Sequence, residues 1–301
     1  MTSERTPSFF LRISAAPNCN LRCEYCNPDG EFKPGIISDK ELLDSIKAGY
    51  RMGIRTVHFT GGEPTLRKGI VDLVAETKNI GIEKISLTTN GVLFNKMAEN
   101  FKKAGLTGAS ISLDSLDSEK VREITGFDVF KPVYESIVKS CDLFPNVVVN
   151  MVVMRKNLSE IKDFVDFADK MEGRFIPRFC ELQNFGPAYE KDPDSFVKNH
   201  VPRVEIIQAL EAIRHIESKF KESRDSENAH AEYFELGNDG LVVGVIAPFS
   251  KGWPCAGPGC GRIRIGPTGA IKSCVFNPTY QLDGLSSNEK LDVLEIVIEE
   301  K

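Results

Sequence analysis

Six of the eight cysteines in this chain fall into two triads, Cys19/Cys23/Cys26 and Cys255/Cys260/Cys274, rather than being scattered as disulfide partners would be. In a reducing compartment close thiols seldom form structural bridges, whereas thiolates a few residues apart converge on a soft metal or an iron–sulfur cluster. The first triad reads Cys19-Asn-Leu-Arg-Cys23-Glu-Tyr-Cys26, with three and then two residues between thiols. Three thiolates on one loop can hold three irons of a [4Fe-4S] cube that ordinarily takes four protein ligands, leaving the fourth iron open to something else. A zinc site short of one ligand is the plainer alternative there, and a structural zinc knuckle is the plainer alternative for Cys255-x4-Cys260-x13-Cys274. Cys141, in a helical stretch, and Cys180, in a strand, read as small core residues.

Other groups able to do chemistry sit at regular intervals. Gly61-Gly62-Glu63-Pro64 pairs two glycines, which permit close backbone approach and positive φ, with a carboxylate able to accept hydrogen bonds from an ammonium. Thr88-Thr89-Asn90-Gly91 and Ser112-Leu113-Asp114 follow apolar runs and read as strand ends. Arg262 and Arg264 alternate along an extended stretch between two cysteines, so their side chains leave one face.

The elements that must position these groups follow from periodicity. Candidate strands are Phe9–Ser14, Arg55–Thr60, Lys84–Thr89, Ala109–Leu113, Asn146–Met154 and Arg174–Leu182, with helical spacing near 39–52, 68–80, 94–104, 128–144 and 158–171. Ser38-Asp39-Lys40-Glu41 and Asn157-Leu158-Ser159-Glu160 resemble capped helix starts. Six strands alternating with helices predict parallel βα units, whose working groups gather at strand carboxyl ends. The segment Gln183–Pro202 reads as a lid or linker and marks a boundary, giving residues 1–202 as one domain and 203–301 as a second. Residues 203–221 read as helix, Tyr233–Ile246 as a hairpin, and the charged tail Asn288–Lys301 as helical or frayed.

Composition narrows the partners. With 38 Lys+Arg against 43 Asp+Glu the net charge is −5, so no overall basic field is available for nucleic acid. Neither a membrane-length apolar run nor a signal-peptide pattern is present, and the expectation is a cytoplasmic protein.

The Cys-x3-Cys-x2-Cys loop followed by Gly-Gly-Glu-Pro resembles the radical S-adenosylmethionine (radical SAM) superfamily. That resemblance implies an α/β partial (βα)6 TIM-like barrel with a small C-terminal auxiliary-cluster domain, and an enzyme that cleaves SAM to a 5′-deoxyadenosyl radical. It implies a SAM-binding [4Fe-4S] cluster on Cys19, Cys23 and Cys26, with SAM contacts from Gly61, Gly62, Glu63, Pro64, Thr88, Asn90 and Ser112. An electron donor such as flavodoxin or ferredoxin is implied as well.

The second triad and its surroundings resemble the auxiliary [4Fe-4S] region of the GTP 3′,8-cyclases, which implies a second cluster on Cys255, Cys260 and Cys274. It also implies a pocket for a small anionic substrate formed by Arg12, Arg174, Arg262 and Arg264. Where those cyclases carry further basic residues, this chain has Thr56, His58 and Val148, so a triphosphate would be poorly compensated and GTP is expected to bind weakly. A divergent cyclase, a peptide-modifying radical SAM enzyme and a non-catalytic iron–sulfur carrier are the competing expectations. The Gly-Gly-Glu-Pro turn argues against the carrier, which needs no SAM site.

Overall fold

The computed structural model describes residues 9–26, 35–184, 193–220, 231–252, 260–274 and 277–300. Its first half is β1 (Phe10–Ala16), α1 (Asp39–Arg51), β2 (Thr56–Gly61), α2 (Ile70–Ile80), β3 (Lys84–Thr89), α3 (Phe94–Lys103), β4 (Gly108–Ser112), α4 (Ser118–Thr125), α5 (Phe130–Leu143), β5 (Asn146–Val153), α6 (Ile161–Lys170) and β6 (Ile176–Glu181). There follow α7 (Pro193–Asn199), α8 (Arg203–Ile213), β7 (Ile216–Phe220), β8 (Glu232–Leu236), β9 (Leu241–Ile246), β10 (Arg262–Ile265), β11 (Ala270–Lys272), β12 (Tyr280–Gln281) and α9 (Ser287–Glu299).

Among the described residues twelve strands form one sheet, ordered β12-β11-β10-β1-β2-β3-β4-β5-β6-β9-β8-β7. The six expected strands are its parallel centre, in chain order, as short right-handed βα crossovers require. Strands from beyond residue 202 extend both edges: β10 pairs parallel with β1, and β9 pairs parallel with β6.

Buried parallel strands are usually apolar on both faces, because helices cover both. Here only the odd positions follow that rule. Leu11, Ile13, Val57, Phe59, Ile85, Leu87, Ile111, Val149 and Phe179 are fully buried in the hydrophobic core shared with the helices. The even positions carry Arg12, His58, Ser86, Thr88, Ser110, Asn150 and Arg178, so one wall of the sheet is polar and faces away from that core. A parallel sheet that keeps a polar wall is built around a site.

Local signals explain most element ends. Ser38 caps α1, its hydroxyl accepting from the Glu41 N–H at 3.2 Å. The chain tail is helical, opened by a reciprocal capping box between Ser286 and Glu289. Its buried Leu294 and Val297 lie against α1, where Lys290 Nζ pairs with the Glu41 carboxylate.

Three expectations differ. Asn157 does not cap a helix: its Oδ1 accepts from the Met154 N–H, its Nδ2 donates to Asp114 O and Val152 O, and a tight 3-10 turn precedes α6. The helix expected over 203–221 ends at Ile213, because Arg214 turns extended and Ile216–Phe220 pairs antiparallel with β8. Helix α4, capped by the Asp117 side chain, was not anticipated, since eight residues carry too little periodicity to announce themselves.

Candidate active site

The loop after β1 carries Cys19, Cys23 and Cys26, and backbone bonds pin it at two places. Arg22 N–H donates to Thr125 O at 2.9 Å and Glu24 N–H to Ile124 O at 3.0 Å, docking the loop on the end of α4. On its other side Gly62 N–H donates to Ala16 O and Glu63 N–H to Asn18 O, both at 2.7 Å. The turn and the loop touch so closely that a Cβ at Gly62 would stand 2.3 Å from Asn18 O. At Gly61, φ is +139° and a Cβ would meet Ala16 O at 2.4 Å. Both positions therefore demand glycine.

Glu63 is wholly enclosed, at 0% exposure. Its Oε1 accepts from Thr65 N–H (3.0 Å), Thr65 Oγ1 (2.6 Å) and Thr89 Oγ1 (2.7 Å), while Oε2 accepts from Asn90 N–H (2.7 Å). Burial pushes this carboxyl up, and the four donors pull it back down. Sequence reasoning expected the carboxylate itself to meet an ammonium. In this structure the carboxylate ties the turn after β2 to the end of β3. The Asn90 side chain donates from Nδ2 to Asn20 Oδ1 at 2.7 Å and approaches Cys19 Sγ at 3.6 Å.

The carboxyl end of β4 reaches the same loop. Tyr25 Oη donates to Asp114 Oδ2 at 2.7 Å, and Val152 N–H donates to Asp114 Oδ1 at 2.8 Å. Burial first, then Asp114, then the thiols of Cys26 and Cys19 push the Cys23 thiol strongly up, so only a metal that displaces the proton would make it a thiolate at neutral pH. Among the described residues no three His, Cys, Asp or Glu side chains converge tightly enough to hold one metal ion. A cubane asks for something different, because each thiolate meets its own iron. Three neighbouring thiols on one loop fit that donor set.

The remaining expected residues divide. Thr88 Oγ1 is 2.8 Å from His58 Nε2, and His58 Nδ1 is 2.7 Å from Ser86 Oγ, so Thr88 belongs to the inner wall. Ser112 closes β4 beside Asn150 of β5. Arg12 donates from Nη2 to Thr60 Oγ1 at 3.2 Å, and the register places Arg264 beside Arg12 and Arg262 beside Phe10.

Arg174 stands at the end of the sheet opposite the Cys19 loop. It precedes β6 at the amino ends of the strands, 43% exposed, with Nη1 on Asp142 at 2.6 Å, at the rim of a cavity of about 200 Å³ lined also by Ser86, Ser110 and Val148 of the polar wall. Arg178, which sequence reasoning passed over, lies on that wall as well. It is 3% exposed and donates from Nε to Asn150 Oδ1 at 2.7 Å. Its signal was an arginine at an inward position of an otherwise apolar strand. A second unforeseen arginine, Arg67, is buried as a brace, donating to Ala15 O and Ile37 O at 2.8 Å each.

Cys260 precedes β10 and Cys274 follows the antiparallel β11, so both lie at the amino end of β10 and hence of β1. Cys255 lies outside the described residues. Cys260 and Cys274 thus lie at the end of β1 opposite the first triad, separated from it by a strand length on the order of 20 Å. Cys141 is half-buried on α5. Cys180 falls on the inner-wall side of β6, its thiol pushed up to about 11 by burial.

The sequence profile described as the radical SAM superfamily matches residues 13–168. The chain belongs to the radical SAM superfamily. This radical SAM enzyme is 35% identical over 295 residues to a GTP 3′,8-cyclase of Alkaliphilus oremlandii, covering 96% of this chain and 84% of that one. It is 34% identical to a probable GTP 3′,8-cyclase of Pyrococcus abyssi, covering 95% and 92%. Among solved structures it resembles Streptococcus suis SuiB bound to its precursor peptide SuiA, with a TM-score of 0.60 at 16% identity over 95% of this chain. The chain spans 65% of the length of SuiB. A similar match, TM-score 0.53 at 16% identity and 94% and 82% coverage, is anSMEcpe with AdoMet and a peptide. These likenesses establish the fold, a partial TIM-like barrel. The family implies SAM and a [4Fe-4S] cluster as cofactors. Among the described residues no helix is long and apolar enough to cross a membrane.

Proposed function

We propose that this enzyme binds SAM at the Cys19/Cys23/Cys26 loop and acts by radical chemistry on a small anionic, nucleotide-like substrate held along the polar wall, beside an auxiliary cluster on Cys255, Cys260 and Cys274. Held by Cys19, Cys23 and Cys26, the cluster with SAM would supply radical chemistry that takes hydrogen from carbon. The protein's part is to place the loop, hold the substrate and keep water away from a reactive centre. The Gly61-Gly62 backbone and Asn90 border the loop on the side where SAM would lie, with Ser112 and Thr88 further along the strand ends.

The observation that carries the reading is the wall itself. Arg12, Arg178, Arg262 and Arg264 line a polar sheet face running between the first triad and, at the opposite strand ends, Cys260 and Cys274. Guanidiniums arranged so present planar paired donors suited to phosphate or carboxylate. Thr56, His58 and Val148 stand on the same wall where the cyclases carry further basic residues, which favours a ligand less highly charged than a triphosphate. A flavodoxin- or ferredoxin-like donor would supply the electron.

The relatives named GTP 3′,8-cyclase favour one second reading, cyclisation of GTP by this chain. One experiment separates the two. Anaerobically reconstituted enzyme with SAM and dithionite is expected to form 5′-deoxyadenosine, and adding GTP is expected to leave the rate unchanged. GTP-stimulated cleavage with release of a 3′,8-cyclised nucleotide would establish the cyclase. Absence of any 5′-deoxyadenosine would sink both readings.

A further inference from the structure

Two N–H donors meet the Cys19 sulfur. Leu21 N–H points at Cys19 Sγ at 3.4 Å, and Asn90 Nδ2, from the residue just after β3, stands 3.6 Å from the same atom. The orientation of the Asn90 amide is fixed, because its Oδ1 accepts from the Val92 N–H at 3.0 Å and Nδ2 is thereby turned the other way. One Nδ2 hydrogen goes to Asn20 Oδ1 at 2.7 Å, which leaves the second for the sulfur.

Asn90 is also held from behind, its backbone N–H donating at 2.7 Å to the buried Glu63 carboxylate. It lies 71 residues from Cys19 in sequence, so the contact is a property of the fold and not of the cysteine loop alone. On the loop itself Arg22 Nη1 donates to Cys19 O at 3.0 Å and to Leu21 O at 2.9 Å, closing the backbone around the Leu21 donor. Cys23 lies instead in the field of the Asp114 carboxyl. A thiol is a weak acceptor, but a metal-bound thiolate carries negative charge and gains from each N–H aimed at it. Such hydrogen bonds to sulfur are one of the means by which a protein sets the reduction potential of an iron–sulfur cluster, because they stabilise the added electron.

We propose that Asn90 sets the potential of the first cluster: its Nδ2, together with the Leu21 N–H, donates to the Cys19 sulfur and makes that cluster easier to reduce. Asn20, Val92 and Glu63 keep the amide in aim. The inference rests on reading Cys19, Cys23 and Cys26 as cluster ligands, and it gives Asn90 a task that does not depend on SAM.

The test is an anaerobic redox titration of the reconstituted full chain without SAM, followed by EPR. The signal of the first cluster is the one missing from Cys19→Ala/Cys23→Ala/Cys26→Ala. Asn90→Leu removes both amide hydrogens at similar volume. It is expected to keep the wild-type iron content and, at the wild-type midpoint, to lower the ratio of reduced to oxidised first cluster about 3-fold or more, which is ~28 mV at 59 mV per decade. An unchanged or higher midpoint would overturn the assignment. Should Asn90→Leu lose iron, pulsed EPR on wild-type protein carrying asparagine labelled with 15N in the side chain decides instead. Coupling of the reduced cluster to an amide 15N is expected, and its absence, or its survival in Asn90→Asp, would overturn the assignment. A wild type that assembles no iron on the first triad removes the cluster loop itself, whereas an intact cluster with an unshifted midpoint removes only the role of Asn90.

Discussion

The Tyr25 hydroxyl donates to the Asp114 carboxylate at 2.7 Å, joining the cysteine loop after β1 to the end of β4 across 89 residues of sequence. The loop that carries Cys19, Cys23 and Cys26 is thereby set by a strand three places away in the sheet.

Burial pushes the Asp114 carboxyl up from the ordinary 3.8 to about 6, despite the Tyr25 and Val152 donors. The folded chain then holds a proton that the unfolded chain releases, so this group contributes stability fully present below about pH 4 and lost as pH rises through about 6. The change amounts to up to about 3 kcal/mol. Denaturant titrations of the metal-free chain between pH 4 and 7 are expected to show that fall, and Asp114→Asn to flatten it. The same slope in the variant would assign the pH dependence to another group.

Gly62→Ala places a methyl carbon 2.3 Å from Asn18 O, where backbone rather than a flexible side chain must give way. The expected outcome is an enzyme that folds, with a melting point lowered by a few degrees, but retains less than about half its iron at the first site and loses at least about 10-fold in SAM cleavage. Wild-type iron content and cleavage would show that the turn and the loop do not need this contact.

Arg178 and Arg174 make a matched pair. Arg178→Ala is expected to remove at least about 2 kcal/mol of substrate binding by stripping a charged donor from the wall, while SAM cleavage in the absence of substrate persists. Arg174→Ala breaks an exposed ion pair with Asp142, so both stability and turnover should move by less than about 1 kcal/mol. The reverse ranking in steady-state kinetics would restore Arg174 to the pocket.

Iron counting tests the second cluster. Reconstituted protein is expected to hold about eight irons per chain, and Cys19→Ala/Cys23→Ala/Cys26→Ala about four, with SAM cleavage abolished. Zinc at Cys260 and Cys274 after anaerobic reconstitution would remove the auxiliary cluster from the proposal.

Much of what depends on residues close in the chain was legible in advance, the short helix α4 and the Asn157 turn excepted. The Cys19/Cys23/Cys26 spacing, the Gly61-Gly62 turn, the Ser38 cap and the alternation of six strands with helices each draw their energy from neighbours within a few residues, so composition and period announce them. Relations between strands were not legible, because register is set by packing across the sheet rather than by any one strand. That is why Arg178 went unforeseen beside Arg174: four residues apart, they differ by whether the chain has yet entered β6, and the pairing Asn150↔Arg178 puts Arg178 on the wall. It is also why Ile216–Phe220 became a strand once β8 lay beside it. The sequence by itself determined which donors this protein owns, since thiol spacing and glycine pairs are properties of short segments. The tertiary structure alone decided that Cys260 and Cys274 stand at the end of β1 opposite the first triad and that Arg264 lies beside Arg12. Those facts arise where β10 returns from some 250 residues away to hydrogen-bond with the first strand and brings β11 in beside it.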